Sequence, residues 1–121
     1  MINRFDLIKQ YMNGTTSSKL SALLQELHNT LKNLYEDRLI QLILYGSQAR
    51  GEATEDSDID VMVVLKSPVS PGIEIIRMGE IKAMLNLKYD ELISVLPISE
   101  EDFLFRKTPL LENIRREGVI I

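Results

Sequence analysis

Residues 39–65 read LIQLILYGSQARGEATEDSDIDVMVVL. The stretch begins and ends with a nearly continuous apolar run, Leu39–Tyr45 and Ile59–Leu65, and such runs are typical of strands buried on both faces of a sheet. Residues 47–52 between them are long enough for about one helical turn, and residues 53–57 read as a polar loop. The sequence therefore predicts a strand, a tight turn and a second strand at the centre of the fold.

The segment before the first strand is predicted to be helical. Its leucines recur at steps of three and four residues, the period of one helix face, between the capping cluster of residues 15–18 and Asp37. The leucines of this stripe are Leu20, Leu23, Leu24, Leu27, Leu31 and Leu34. A shorter helix is predicted before it, ending at Asn13-Gly14. The residues expected on its inner face are Phe5, Ile8 and either Tyr11 or Met12.

The segment after the second strand predicts a helix and a third strand. We expect Ser70 to cap the helix, with Pro71 in its first turn. The side chains expected on its buried face are Ile73, Ile76, Met84 and Leu85. Gly79 inside this helix has no explanation at this level. Residues 92–96 are predicted to form the third strand, stopped by Pro97.

Two short helices and an edge strand are predicted at the carboxyl end. Residues 99–102, Ser-Glu-Glu-Asp, form an N-cap signature with acids at the positive end of a helix. The last helix starts at Thr108-Pro109 and ends at Gly118, which leaves residues 119–121 for an edge strand. Helices and strands alternate, so the predicted class is α/β (α+β), a small mixed sheet flanked by helices.

The bulk composition fits one domain of 121 residues, with a helical segment over 1–37 and the sheet-containing core over 38–121. No apolar run approaches the roughly 20 residues that cross a bilayer, and no secretory signal is recognisable. We therefore expect a cytoplasmic protein without a membrane contact.

The charge and the cysteine count exclude several classes of function. The formal net charge is −4, which argues against strong non-specific binding of nucleic acid. The chain has no cysteine, so disulfides, thiolate metal sites and cysteine nucleophiles are excluded. Any metal ion must be held by oxygen ligands.

Asp58 and Asp60 lie at the start of the second apolar run. Because side chains alternate across a strand, the two carboxylates are expected on one face with backbones about 7 Å apart. Mg²⁺ prefers one or two carboxylates together with water and substrate phosphates. The pair therefore predicts half of a Mg²⁺ site, which a bound nucleotide would complete.

Gly46 and Ser47 follow the first apolar run and are suited to phosphates. A glycine lets the backbone approach a ligand closely, and the next N–H groups and the serine hydroxyl can donate to phosphate oxygens. Arg50 either reaches the triphosphate or pairs with a nearby acid. A P-loop is excluded because Glu52-Ala53 stands where that motif requires Lys and Ser/Thr.

Neither pair is informative alone, but Gly46-Ser47 and Asp58-Ile59-Asp60 occur together, ten residues apart and between two predicted buried strands. This arrangement resembles the minimal nucleotidyltransferases of the DNA polymerase beta superfamily. The resemblance is close over 44–65 and continues more weakly through 98–118, where the NIRREG of residues 113–118 is similar to the tail of small stand-alone members. It implies a polymerase-beta-like palm, with Asp58 and Asp60 as metal ligands and catalytic residues and with Gly46 and Ser47 as phosphate-binding residues. Arg50 is the further nucleotide-binding candidate, on its chemistry alone.

The same resemblance implies a third carboxylate on a later strand. Here the chain departs from the family pattern, because the third predicted strand carries Asp90 and Glu91 only at its very start and Ser94 as the polar residue of its body. Of the two acids, Asp90 is the preferred candidate for the third catalytic acid and Glu91 the second, and the absence of such an acid is favoured over either one.

The resemblance implies an enzyme that transfers a nucleoside monophosphate, AMP from ATP, to a hydroxyl of a partner protein or a small molecule with Mg²⁺ as cofactor. Stand-alone members of this kind often pair with a small helical HEPN protein as the antitoxin of a toxin–antitoxin pair. The alternative is a nucleotide-binding module of weak or no activity that acts as an antitoxin by binding a partner protein. The missing third acid favours this alternative.

Overall fold

The computed structural model describes residues 15–121. The predicted helix over the first residues of the chain lies outside the described range. The helices are α1 Thr15–Tyr35, α2 Ser47–Arg50, α3 Pro71–Arg77, α4 Gly79–Tyr89, α5 Glu100–Phe105 and α6 Pro109–Glu117, with one 3₁₀ turn over Glu36–Arg38. The strands are β1 Leu39–Tyr45, β2 Ile59–Leu65, β3 Ile93–Ser99 and β4 Val119–Ile120. The predicted mixed α/β class is confirmed.

The four strands form one sheet in the order β3-β2-β1-β4. The central pair β1 and β2 is antiparallel, with Tyr45 opposite Asp60. β3 is parallel to β2, with Ser94 opposite Asp60, and β4 is antiparallel to β1. The two central strands therefore bring the end of β1 and the start of β2 together, with β3 on the far side of Asp60.

Both faces of the sheet are covered. On one face the leucines of α1 and residues of α4 pack against the sheet in the larger core cluster, and on the other α6 and Phe103 of α5 pack against Ile43, Met62 and Val64. The predicted leucine stripe is confirmed from Leu20 to Leu31 but is wrong at Leu34, which is 39% exposed. The next residue, Tyr35, is buried instead and donates a hydrogen bond to Glu74 at 2.9 Å.

The predicted helix after Pro71 is two helices, α3 and α4, joined at the buried Met78. Gly79 begins the second helix, which accounts for its position. The prediction of an inward face is correct for Leu85 and wrong for three residues that are exposed. Those residues are Ile73, Ile76 and Met84.

Glu74 is the inward residue of α3, 3% exposed. Its carboxylate accepts the Tyr35 hydroxyl and pairs with Arg38 at 3.3 Å and Arg77 at 3.2 Å. A buried carboxylate needs partners of this kind, and here they hold α3 to the end of α1. Since Glu74 takes the inner position, the isoleucines of α3 turn outward, which the apolar pattern did not predict.

Pro97 was expected to stop β3, but the strand continues to Ser99. The backbone hydrogen bonds give the reason. Ile59 N–H donates to Leu92 O across the β2–β3 pair, whereas Ile93 N–H points the other way and donates to the side chain of Asn86. Residues two apart point the same way, so the nitrogen of Pro97, like that of Ile93, faces the open edge, where no strand bond is lost.

The carboxyl-terminal predictions are confirmed. Ser99 and Thr108 cap α5 and α6, accepting from the N–H groups of Asp102 and Leu111. The chain then passes through Gly118 into the edge strand β4. In contrast, Ser70 is at the N-cap of α3 but makes no side-chain capping bond. No helix in residues 15–121 is long and apolar enough to cross a membrane.

Candidate active site

Gly46 ends β1 in a backbone conformation that favours glycine. Its φ of 75° and ψ of −156° are strained for any L side chain. A Cβ placed at Gly46 would also lie 2.5 Å from Oδ2 of Asp60. The glycine therefore allows the chain to turn sharply and leaves room for the Asp60 carboxylate directly beside the turn.

The helical turn α2 begins at Ser47, as predicted, and ends at Gly51 in the left-handed conformation. Gln48 and Ala49 are buried and anchor the turn, while Ser47 is partly accessible. The first N–H groups of any helix have no partner within it. Here they begin at the mouth of the site, where they can donate to an anion together with the serine hydroxyl.

Asp58 and Asp60 lie close enough to affect one another. Burial raises the pKa of Asp60 above its ordinary value of 3.8, the charge of Asp58 raises it further, and the charge of Arg50 acts in the opposite direction. Asp58 itself is exposed. The two carboxylates thus form a pair whose mutual repulsion a bound cation would relieve.

Tyr45, opposite Asp60, is half-buried in the same region. Burial raises the pKa of its hydroxyl, and the charge of Asp60 raises it further. Since both causes favour the neutral phenol, Tyr45 contributes an uncharged wall to the site.

Arg50 lies over the same edge. Its guanidinium pairs with Glu52 at 3.0 Å and with Glu117 at 3.8 Å, and it is close enough to Asp60 for their charges to interact. The sequence left open whether Arg50 serves phosphate or an ion pair. The structure shows the ion pairs, and because all these groups are solvent-accessible the guanidinium can exchange them for phosphate oxygens at small cost.

The structure does not gather a third carboxylate with the aspartate pair. Asp90 caps the end of α4 in the left-handed conformation and is exposed, and Glu91 pairs with Lys19 at 3.1 Å. Over residues 15–121 no cluster of three acidic, histidine or cysteine side chains is placed to hold a metal. Asp90 does line a shallow cleft of about 290 Å³ together with Asp58.

Two neighbours of the site were not predicted from the sequence. Ser94 is directly beside Asp60 across the β2–β3 pair, the place where a third acid on this strand would lie. Glu117 reaches Arg50 from the carboxyl-terminal helix. The position of Ser94 beside Asp60 depends on the register of β2 and β3, and that of Glu117 beside Arg50 depends on tertiary packing. Neither can be deduced from a single sequence.

The nucleotidyltransferase domain family matches residues 24–120 of the chain. This match covers the sheet, the Gly46–Ser47 turn and the aspartate pair, and with them most of the described structure. The chain therefore belongs to the nucleotidyltransferase domain family, and its class of chemistry is nucleotidyl transfer.

Curated relatives agree with this assignment. Two proteins of Methanocaldococcus jannaschii, each named "putative protein adenylyltransferase", are 34% and 33% identical to it. They match 81% and 80% of this chain and 93% of their own lengths. The fold is also similar to a crystal structure of a toxin–antitoxin with AMP-PNP. That match has a TM-score of 0.53 at 21% identity and covers 76% of this chain and 69% of the other.

Proposed function

We propose that this protein transfers AMP from ATP to a hydroxyl group of a partner protein, assisted by Mg²⁺. The observation that carries the proposal is the position of Asp60, with Asp58 beside it and Gly46 leaving room for its carboxylate at the start of α2. A phosphate grip and a carboxylate pair at one edge are the two halves of a site for a metal-bound triphosphate.

In this proposal Asp58 and Asp60 hold Mg²⁺. The donor set suits a hard cation, because it consists of carboxylate oxygens from Asp58, just before β2, and Asp60, within it. Burial and the second carboxylate disfavour the charge of Asp60, so a cation between them would gain stabilisation there. Mg²⁺ would supply charge neutralisation to the phosphates and alignment for in-line displacement.

The triphosphate is assigned to the other half of the site. The N–H groups at the start of α2 and the Ser47 hydroxyl would bind its terminal phosphates beside Gly46. Arg50 would leave its surface ion pairs and bind the phosphates through its planar fork.

Asp90 is proposed as the third acid, which accepts the proton of the attacking hydroxyl. It lines a shallow cleft with Asp58, as Glu91 also does, but Glu91 is paired with Lys19, so Asp90 is the acid proposed. The exposed position of Asp90 leaves its side chain room to move.

A partner protein is proposed as the acceptor, and a helical HEPN-type toxin is the partner class inferred from the sequence resemblance. The names of the archaeal relatives support a protein acceptor. The protein would then act as the antitoxin of a toxin–antitoxin pair.

The second candidate is a module that binds nucleotide and partner but transfers nothing. One observation favours it: Ser94 stands beside Asp60 where an acid on β3 would complete the metal site.

Joint binding of Mg²⁺ and ATP tests the proposed site. We expect the two ligands together to raise the melting temperature more than either alone, because protein and phosphates each supply part of one coordination shell. The double variant Asp58→Asn, Asp60→Asn should lose the joint effect, whereas Asp37→Asn, on the exposed 3₁₀ turn before the far end of β1, should keep it. An unchanged joint shift in the double variant would remove these aspartates from the site.

A further inference from the structure

An apolar cleft of about 240 Å³ lies on the same face of the sheet as Asp60. Its apolar walls include Met62, Leu96, Ile98, Leu110 and Leu111, its far end lies by Pro71 and Ser99, and we refer to it as the Leu96 cleft. Side chains alternate along a strand, so Asp60 and Met62 share a face, as do Ser94 and Leu96. The cleft therefore begins one same-face position beyond the Asp60–Ser94 pair, about 7 Å along the strands.

The geometry of in-line displacement places the acceptor hydroxyl on the side of the site where this cleft lies. With the terminal phosphates at Gly46 and Ser47, the leaving pyrophosphate lies on the β1 side of Asp60. In-line displacement requires the attacking hydroxyl on the opposite side of the α-phosphorus. The sheet order places β3 on that side, so the hydroxyl arrives over Ser94, next to Leu96.

The lining of the Leu96 cleft suits an apolar side chain better than a nucleobase. Its volume is below the roughly 300–1,000 Å³ of ordinary ligand pockets, which leaves room for one side chain. The hydroxyl oxygens of Ser99 and Thr108 already cap helices, and the side chains of Asp102 and Arg106, which pair at 3.9 Å, are more than half exposed to water. Few polar groups remain to recognise the edge of a base.

We propose that the Leu96 cleft binds an apolar side chain of the acceptor polypeptide, within three positions of the residue that receives AMP. The proposal rests on the proposed function. In the transfer, the acceptor oxygen bonds to the α-phosphorus as the bond to the bridging oxygen of pyrophosphate breaks. Pyrophosphate leaves with that electron pair, and the hydroxyl proton passes through Asp90 to water.

Adenylylation of a peptide array by the full chain tests the cleft. Each peptide carries one Tyr, Ser or Thr in a polar Gly/Ser background, with Phe or Leu placed in turn at the three positions on either side. With labelled ATP and Mg²⁺, an apolar residue at a preferred position should raise kcat/KM by roughly fivefold. Leu110→Ser, at the exposed mouth, should abolish that preference, and Leu104→Ser, exposed on α5 outside the cleft, should retain it.

The possible outcomes test the role of the cleft and the proposed transfer reaction separately. Transfer without an apolar preference, or a preference that survives Leu110→Ser, would overturn the role of the Leu96 cleft and leave the transferase intact. A weaker affinity of Leu110→Ser for Mg²⁺ with ATP would show that the cleft holds the nucleoside instead. Failure to modify any peptide, despite metal-dependent ATP binding, would overturn both proposals.

Discussion

At the scale of single residues, the absence of a side chain at Gly46 and the position of the Asp60 carboxylate are linked. The positive φ favours glycine at this position, and a Cβ there would force the end of the Asp60 side chain to move. The Gly-Ser and Asp-x-Asp pairs, separate in sequence, are therefore a single steric arrangement in space. This is a physical reason for finding them at a fixed separation across one antiparallel pair of strands.

Ser47→Ala should weaken ATP binding while the fold is retained. The change removes one hydroxyl donor at the partly accessible start of α2, so the expected loss is about 1 to 2 kcal/mol of binding free energy. Calorimetric titration with Mg²⁺ and ATP measures it, and the melting temperature without ligand checks the fold. Affinity equal to that of the wild type would exclude Ser47 from the phosphate site.

Asp60→Asn should stabilise the protein in the absence of metal and nucleotide. The pKa of Asp60 is raised above 3.8 in the folded state by burial and by Asp58, so folding favours its protonated form. Its contribution to stability is present below about pH 3.8 and is lost as the pH rises through the folded-state value. At neutral pH the charge therefore costs stability, and the amide removes that cost.

Melting of the wild type and of Asp60→Asn from pH 3 to pH 7 measures this effect. The stability difference should grow as the pH rises and then level off above the folded-state pKa. A variant less stable than the wild type at pH 7 would contradict the assigned cause.

At the scale of elements, helix α3 buries a charged side chain and exposes apolar ones, the reverse of the usual arrangement. Its inward side chain is Glu74, held by Tyr35, Arg38 and Arg77, while Ile73 and Ile76 face solvent. A buried polar network and an exposed apolar side chain are each exceptions to the general pattern of burial. An interpretation based on apolar spacing therefore selects the wrong face of this helix.

Glu74→Ala should lower the free energy of unfolding by about 2 to 4 kcal/mol, because it leaves the Tyr35 hydroxyl and two arginines without their acceptor. Ile76→Ser changes a residue of the same helix that is 81% exposed. It should therefore change the free energy of unfolding by less than about 0.5 kcal/mol. Urea denaturation of both variants measures the difference. Equal losses in the two would show that α3 packs the other way round.

The predictable parts of the fold are those set by local chemistry. Strands β1 and β2, the caps at Ser99 and Thr108, and the Gly46–Ser47 turn follow from residue type and spacing alone. The failures at Leu34, Ile73 and Pro97 share a different cause, since each depends on what lies across the structure rather than along the chain. The edge position of β3 makes Pro97 acceptable, and no local signal reports that a strand is at an edge.

The candidate site also has one part that local sequence predicts and another that depends on tertiary structure. Its two motif pairs were predicted from the sequence, and their residues lie side by side. The neighbours supplied by other elements were not, because Ser94 is set by the β2–β3 register and Glu117 by the packing of α6.

At the scale of the whole molecule, the presence or absence of a third acid distinguishes the two candidate functions. Ser94 lies beside Asp60 across the β2–β3 pair, and Asp90, at the end of α4, lines a cleft with Asp58. In the proposed function a further carboxylate would accept the proton of the attacking hydroxyl, and Asp90 is the residue proposed for it. The second candidate function does not need such an acid.

Asp90→Asn should abolish transfer of AMP to the cognate partner while it spares most of the Mg²⁺-dependent binding of ATP, since Asp58 and Asp60 still hold the nucleotide-bound metal. Glu91→Gln is the matched control, because Glu91 is adjacent but pairs with Lys19. Labelled ATP and the purified partner measure transfer, and thermal shifts measure binding. Loss of transfer in Glu91→Gln alone would move the role to Glu91, and loss in neither would assign it to another group. Tight partner binding without transfer by the wild type would identify the protein as the binding module, in which Ser94 has taken the place of the missing acid.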